Sequence, residues 1–214
     1  MYSGHFMNIA PIVLEGAHVR LEPLSMTHHV GLCEVGLDPG LWEITMTLIR
    51  TPEEMADYIM TALKLQEEGV ALPFAIIAKA DGKVVGSTRF GNIDRANRCV
   101  EIGWTWVAAQ WQRSVVNTEA KYLLLTHAFE SLGCIRVEFK TDVINMKSRN
   151  ALVRIGAKEE GILRKHMITP TGRVRDTVYY SIIDSEWPRV KRRLEEKIRS
   201  SGRLRNDDSS VISL

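Results

Sequence analysis

The chain predicts an α/β domain in which helices pack on a mixed sheet, and three stretches carry that reading. Residues 98–157 run strand, tight loop, helix, strand, Asn-containing turn, helix. Leu72–Ala80 and Lys83–Ile93 are strand-like segments joined by Asp81-Gly82, a pair favoured in two-residue hairpins because it accepts left-handed backbone. Lys158–Ile168 and Arg173–Ile183 flank Thr169-Pro170-Thr171-Gly172 and read as a second hairpin. At 214 residues, 45% of them apolar and 25% charged, the chain suits one soluble domain with a substantial core.

The remaining elements follow in order. His18–Ser25 alternates Val19 and Leu21 as a first strand, and the mixed segment 26–50 carries a weak helical signal from His28 to Val35. Thr51, Pro52 and Glu54 form a helix start, followed by Met55, Tyr58, Ile59 and Ala62 at helical spacing up to Gly69. Cys99–Val107 is a strand, 108–117 a loop, and Thr118 opens a helix that buries Leu124, Ala128 and Leu132 before stopping at Gly133. Cys134–Asp142 is a strand, and Asn145 opens a short helix ended by Gly156. A last helix begins near Asp184-Ser185 with a stripe of Trp187, Val190, Leu194 and Ile198. The predicted organisation is an extension over 1–16, one domain over 17–199, and a disordered polar tail over 200–214.

Composition excludes several classes. With 28 basic and 26 acidic residues the net charge of +2 gives no nucleic-acid surface, and the basic stretch 191–205 is interleaved with Glu195 and Glu196, as on a solvated helix face. Cys33, Cys99 and Cys134 form neither a disulfide framework nor a C-x-x-C pair, which suits a reducing, cytoplasmic protein. Neither Cys99 nor Cys134 has a nucleophile's setting. The longest apolar run, Val70–Ala78, is too short to span a membrane, and the N-terminus lacks a signal-peptide pattern. His28-His29 lacks metal-ligand spacing, so no metal is assigned.

A loop that breaks straight into a helix points unpaired N–H groups outward and suits a diphosphate. Together with this core, the I-G-W-T-W strand (102–106), Asn117-Thr118-Glu119, the N-x-x-S-x-x-A-L turn and helix (145–152) and G-R-V-R-D-T-V-Y-Y-S (172–181) resemble the GCN5-related N-acetyltransferases (GNAT). The likeness covers roughly residues 17–190 and is to the RimJ/RimL-like branch. It implies a twisted, mostly antiparallel seven-stranded mixed sheet flanked by helices, with strands 4 and 5 splayed. It also implies acetyl-CoA as cosubstrate and acetyl transfer to a primary amine, on a protein N-terminus or a small molecule, by direct attack in a ternary complex.

The resemblance also implies a site. The family's pyrophosphate loop, Gln/Arg-x-x-Gly-x-Gly/Ala, falls on Gln112, Arg113, Ser114, Val115, Val116 and Asn117, with Thr118 next to it. Val115 stands where the first glycine is expected, and valine allows neither positive φ nor close phosphate approach. Asn117 tolerates the left-handed region, and Arg113 can compensate by charge. Backbone groups of Trp106 and Val107 would bind the pantetheine amides, although core packing of Trp104 and Trp106 on the face of Ile102 explains the same residues. Asn145 either bonds the pantetheine arm or simply caps its helix.

The family's general-acid Tyr, seven residues after this Asn, is Leu152 here, which leaves Ser148 as the nearest substitute. Glu101 is the first candidate base, or else an exposed strand carboxylate. Asp176 is the second; alternation with Val174, Val178 and Tyr180 suggests an apolar face, or a structural pair with Arg164 or Arg175. His166 and Tyr179 could reach the same cleft. Val115 and Leu152 also fit an alternative: a degenerate acyl-CoA-binding or protein-interaction module on the same fold. The acceptor would be set by 26–70 and 158–183, and the C-terminal strands and helix could pair in a homodimer.

Overall fold

Residues 7–208 are described by the computed structural model. The strands are β1 (Leu14–Glu15), β2 (Val19–Pro23), β3 (Leu72–Ala78), β4 (Val84–Asp94), β5 (Cys99–Val107), β6 (Arg136–Asp142), β7 (Lys158–Ile168) and β8 (Val174–Ile183). They form one sheet in the order β1-β2-β3-β4-β5-β6-β8-β7. All neighbours are antiparallel except β5 and β6. The helices are α1 (His29–Gly36), α2 (Pro52–Glu67), α3 (Val115–Thr126), α4 (Met146–Ile155) and α5 (Trp187–Asp208).

Two cores hold the layers together. On one face α1 and α2 bury Leu32, Met55, Ile59 and Ala62 against Ala75, Ile77 and Trp106. On the other, Leu124, Leu152, Ile155, Val190 and Leu194 from α3, α4 and α5 pack on Phe74, Phe90, Ile102, Val137, Phe139 and Tyr180. Local chemistry fixes the helix starts. Thr51 accepts from the Glu54 N–H at 3.2 Å with Pro52 in the first turn, which places the start of α2 as the sequence predicts.

Two features of β5 shape the site. It pairs with β6 only from Cys99↔Arg136 to Glu101↔Glu138, after which β6 continues along β8 and β5 along β4. The two strands therefore diverge beyond Glu101, as the expected splay requires. The β4–β5 register also slips: Ser87 faces Trp106 but Arg89 faces Gly103, so Trp104 and Thr105 together oppose Thr88. This is a β-bulge, and Trp104 takes a φ of 48° within it. The extra residue reverses the alternation. Ile102 and Val107 lie in the core under α3, whereas Trp106 lies in the core under α1 and α2. The expectation that Trp104 and Trp106 share the face of Ile102 is thereby corrected, since a uniform period of two cannot contain a bulge.

Four other expectations change. The sheet has eight strands, because Leu14–Glu15 of the expected extension pairs with Arg20–Leu21, and Met7 is buried in the larger core. The helix expected from Thr118 begins at Val115, because Ser114 caps it. It ends in a wider π-type turn, His127–Ser131. Finally, α5 runs on to Asp208 through residues expected to be irregular, while 209–214 of the expected tail lie outside the described residues.

The bulge brings β5 backbone hard against Gly86, where an added Cβ would sit 2.1 Å from the Trp106 carbonyl oxygen and 3.0 Å from the Val107 Cα. Backbone cannot rotate away as a side chain can. Gly86→Ala is therefore expected to cost about 2 kcal/mol or more in urea unfolding.

Candidate active site

The loop after β5 gives the start of α3 its shape. Gln112 Nε2 donates to the Val107 carbonyl at 3.1 Å, which ties the loop to the end of the bulged strand. Ser114 Oγ donates to the Trp111 carbonyl at 2.6 Å and accepts from the Val116 N–H at 3.3 Å. The left-handed residue is Arg113, with φ 58°, and not Val115. Val115 is the first residue of the helix and its side chain is buried beside Ala17, His18, Lys79 and Trp111, in a cleft of about 290 Å³. The freedom that a glycine would supply is not demanded at Val115. First-turn N–H groups of a helix have no acceptors within it, so α3 presents a donor set beside exposed Arg113. Gln112 is exposed and Ser114 half-buried, Val116 and Thr118 are buried, and half-buried Asn117 holds its Oδ1 buried without a partner.

On the opposite face of the sheet, Glu101 lies where the strands part and is 6% exposed, so the reading as an exposed carboxylate is excluded. Asn92 Nδ2 donates to it at 2.6 Å and Lys140 Nζ pairs with it at 2.9 Å. Asn92 reaches it because a second bulge sets Asn92 in left-handed backbone, φ 46°. Burial alone would lower the Lys140 pKa, but the hydrogen bond and charge of Glu101 outweigh it and leave it raised. The Lys140 ammonium lies 5.0 Å from the Tyr179 ring centre, and His166 meets Tyr179 edge-on at 6.0 Å. Glu101, Lys140, Tyr179 and His166 thus form one polar line. Arg89, 2% exposed, is held between Tyr58 and Trp104 at 5.0 Å from each ring centre. Gly91 makes room for the Trp104 ring, since a Cβ there would come within 2.3 Å of it.

The other sequence candidates are engaged differently. Asn145 caps α4: its Oδ1 accepts from the Ser148 N–H at 3.0 Å, while its Nδ2 donates to the Ile44 carbonyl at 3.3 Å. The capping interpretation is therefore realised, and Asn145 also ties α4 to the segment between α1 and α2. Ser148 is half-buried one turn later, and Leu152 is buried in the larger core. Asp176 shares the strand face of Val178 and Tyr180, opposite Tyr179, and so is not brought together with Glu101. Its Oδ1 accepts from the Lys165 N–H at 2.6 Å, capping a β7 bulge where Lys165 takes φ 48°. Neither Arg164 nor Arg175 is its ion-pair partner. Asp142 pairs with Arg173, and Arg175 is buried with its Nε unpaired.

Sequence reading missed Arg89, Asn92, Lys121 and Lys140. Each is a polar residue in a strand or helix whose pattern is otherwise ordinary, and only its distant partners mark it. All three cysteines are free; burial raises the Cys99 pKa to about 11 and that of Cys134 to about 12, which keeps both thiols protonated near neutrality. No cluster of metal-ligating side chains occurs among the described residues.

The sheet therefore splits beside the N-terminus of α3, with a buried carboxylate at the fork. Residues 18–158 match the family model of the Acetyltransferase (GNAT) domain, and the chain belongs to that family. It is similar to YdaF of Bacillus subtilis (strain 168), provisionally named a ribosomal N-acetyltransferase. The two are 39% identical over 107 residues, covering 50% of this chain and 57% of YdaF. A GCN5-related N-acetyltransferase from Brucella melitensis superposes with a TM-score of 0.81 at 33% identity, over 89% of this chain and 90% of that one. Mycobacterium smegmatis RimJ, solved in complex with CoA-disulfide, superposes with a TM-score of 0.73 at 25% identity, over 90% and 96% of the two chains.

The Asn145 geometry makes a direct prediction. Asn145→Ala removes a helix cap and should cost about 1 kcal/mol of stability in urea unfolding.

Proposed function

We propose that the protein is an acetyl-CoA-dependent N-acetyltransferase acting on a primary amine by direct attack. The observation that carries this reading is the gap between β5 and β6 beyond Glu101, which opens beside the N-terminus of α3. The α3 N–H groups and Arg113 suit a pyrophosphate, and the β5 edge at Trp106 and Val107 suits pantetheine amides. The RimJ structure, solved with CoA-disulfide, supports the same ligand class here.

In this reading the amine nitrogen attacks the thioester carbonyl, a C–N bond forms, and the C–S bond breaks to release CoA as thiolate. Most of the acceleration comes from holding both substrates in line and polarising the carbonyl. Glu101 takes the ammonium proton, and Lys140 and Asn92 hold its carboxylate in place. Ser148, in the first turn of α4, is assigned to orient the departing sulfur, which takes up the second proton that the nitrogen loses as the amide forms, and Asp176 supports the β7 bulge. Cys99 and Cys134 lack a nucleophile's setting, so the reading includes no acyl-enzyme. The acceptor is an amine on a protein N-terminus or small molecule, and the name of YdaF supports a ribosomal-protein acceptor. Free cysteines fit a reducing cytoplasm, and no helix among the described residues is long and apolar enough to cross a membrane. The exposed edge strand β7 offers Ile162, Leu163 and Ile168 to a second copy, which would make a homodimer.

A second reading, a CoA-binding module without turnover, draws on Leu152, which puts a core side chain where relatives carry an acid. Two measurements separate them. Saturating acetyl-CoA should stabilise the protein by about 2.7 kcal/mol at a hundred times its dissociation constant. In an amine-acceptor screen, Glu101→Gln should lower kcat by about 10²-fold or more with the acetyl-CoA shift intact. Binding with no transfer to any acceptor favours the module, and no shift at millimolar cofactor sinks both.

A further inference from the structure

Lys121 is a core-facing residue of α3 with an amine where the same helix elsewhere buries Leu124 and Leu125. It is 6% exposed, and no carboxylate pairs with it among the described residues. Its Nζ donates to Thr105 Oγ1 at 2.5 Å, and Thr105 Oγ1 lies 2.7 Å from Thr88 Oγ1. Thr105 is one of the two bulge residues of β5, and Thr88 is the β4 residue they oppose. The amine therefore reaches through the core to the irregular point of the sheet, on the strand that carries the unpaired edge.

Stability does not explain this residue. Burial alone pushes its pKa down to about 7. A leucine or methionine in its place would bury the same stem without that cost. The ionisable groups nearest in sequence are turned elsewhere. Tyr122 donates to Glu195 Oε1 on α5, Glu119 accepts from the N–H groups of Ala17, His18 and Val19, and His127 packs beside Phe90. The groups facing Lys121 from β4 and β5 are hydroxyls.

We propose that Lys121 is a positioning residue for the thioester site, holding the β5 bulge through Thr105 and placing a positive charge behind its backbone when protonated. The inference rests on the N-acetyltransferase reading. The ammonium form adds to the field that attracts an anionic cofactor and polarises its carbonyl. The neutral amine keeps a hydrogen bond with Thr105 but not that field. Acetyl-CoA should therefore bind more tightly below the Lys121 pKa than above it.

The folded-state pKa lies below that of an unfolded lysine, about 10.4. The unfolded chain thus holds more protons between the two values, and native stability should rise from about pH 7 toward about pH 10. Lys121→Met should lack that rise and be no less stable than the parent at neutral pH.

The deciding experiment is calorimetric titration with acetyl-CoA from about pH 6 to about pH 8.5, for the parent, Lys121→Met, Thr105→Val and Thr105→Ser. Parent affinity should fall severalfold with a break near the Lys121 pKa. Lys121→Met should bind about tenfold more weakly at the acid end, without the break. Thr105→Val, which keeps the amine but loses the contact that holds the bulge, should bind severalfold more weakly than the parent at every pH, and Thr105→Ser, which keeps the hydroxyl, should resemble the parent. The cofactor phosphates titrate alike against all four proteins and cancel in the comparison. Parent-like affinity and pH dependence in Lys121→Met overturns the proposal, as does a Thr105→Ser that behaves like Thr105→Val. If Lys121→Met does not fold, the two Thr105 variants decide. A parent that binds no acetyl-CoA at any pH overturns the cofactor reading and this proposal with it, and is recognised by its own flat titration.

Discussion

The β-bulge at Trp104 and Thr105 is the constraint on which the rest of this structure depends. One extra residue on β5 moves Trp106 from one core to the other and turns the Trp104 ring onto Gly91. It also presents the Thr105 hydroxyl to Lys121. A regular strand would place Ile102, Trp104 and Trp106 on one face. The bulge instead lets a single strand serve two cores and an open edge. Its cost includes non-glycine backbone at positive φ, and dense packing on both sides over-determines that conformation.

The splay is an inequality between the two edges of β6. Seven residues of β6 pair with β8, but only three with β5. On one edge β8 follows β6 along its whole length; on the other β5 leaves it after Glu101, and the sheet opens there. Glu101 occupies the last paired position of β5, where it is dry enough to matter electrostatically yet beside the gap. Its partners, Asn92 and Lys140, arrive from the two flanking strands. A carboxylate held this way keeps a fixed geometry, which suits the general-base role proposed for it.

Val115 changes meaning once the fold is known. As a sequence departure it argues against a phosphate site; in the structure it is the first buried residue of α3, and Arg113 carries the left-handed backbone. Leu152 keeps its meaning, because it is buried in the core at the position where the family resemblance implies an acid. The loop proposed to bind the cofactor and the helix proposed to assist leaving-group departure thus bear different weights in the functional reading.

The sequence by itself determined the main elements and their order, the short strand β1 excepted. The Thr51-Pro52-Glu54 start, the Asp81-Gly82 turn and the Asn145 and Gly156 ends of α4 are local signals, each set within a few residues by capping and left-handed backbone. The second hairpin and the family likeness were legible for the same reason. Only the tertiary structure decided where the bulge falls, that Ser114 rather than Thr118 opens α3, and which charges are buried. Register depends on two strands at once. The contacts of Glu101 with Lys140 and of Lys121 with Thr105 join residues on separate elements, so no pattern of period 2 or 3.6 can announce them. Asp176 shows the limit in reverse: its alternation correctly gave its face, but only the folded hairpin showed that the Lys165 N–H claims its carboxylate.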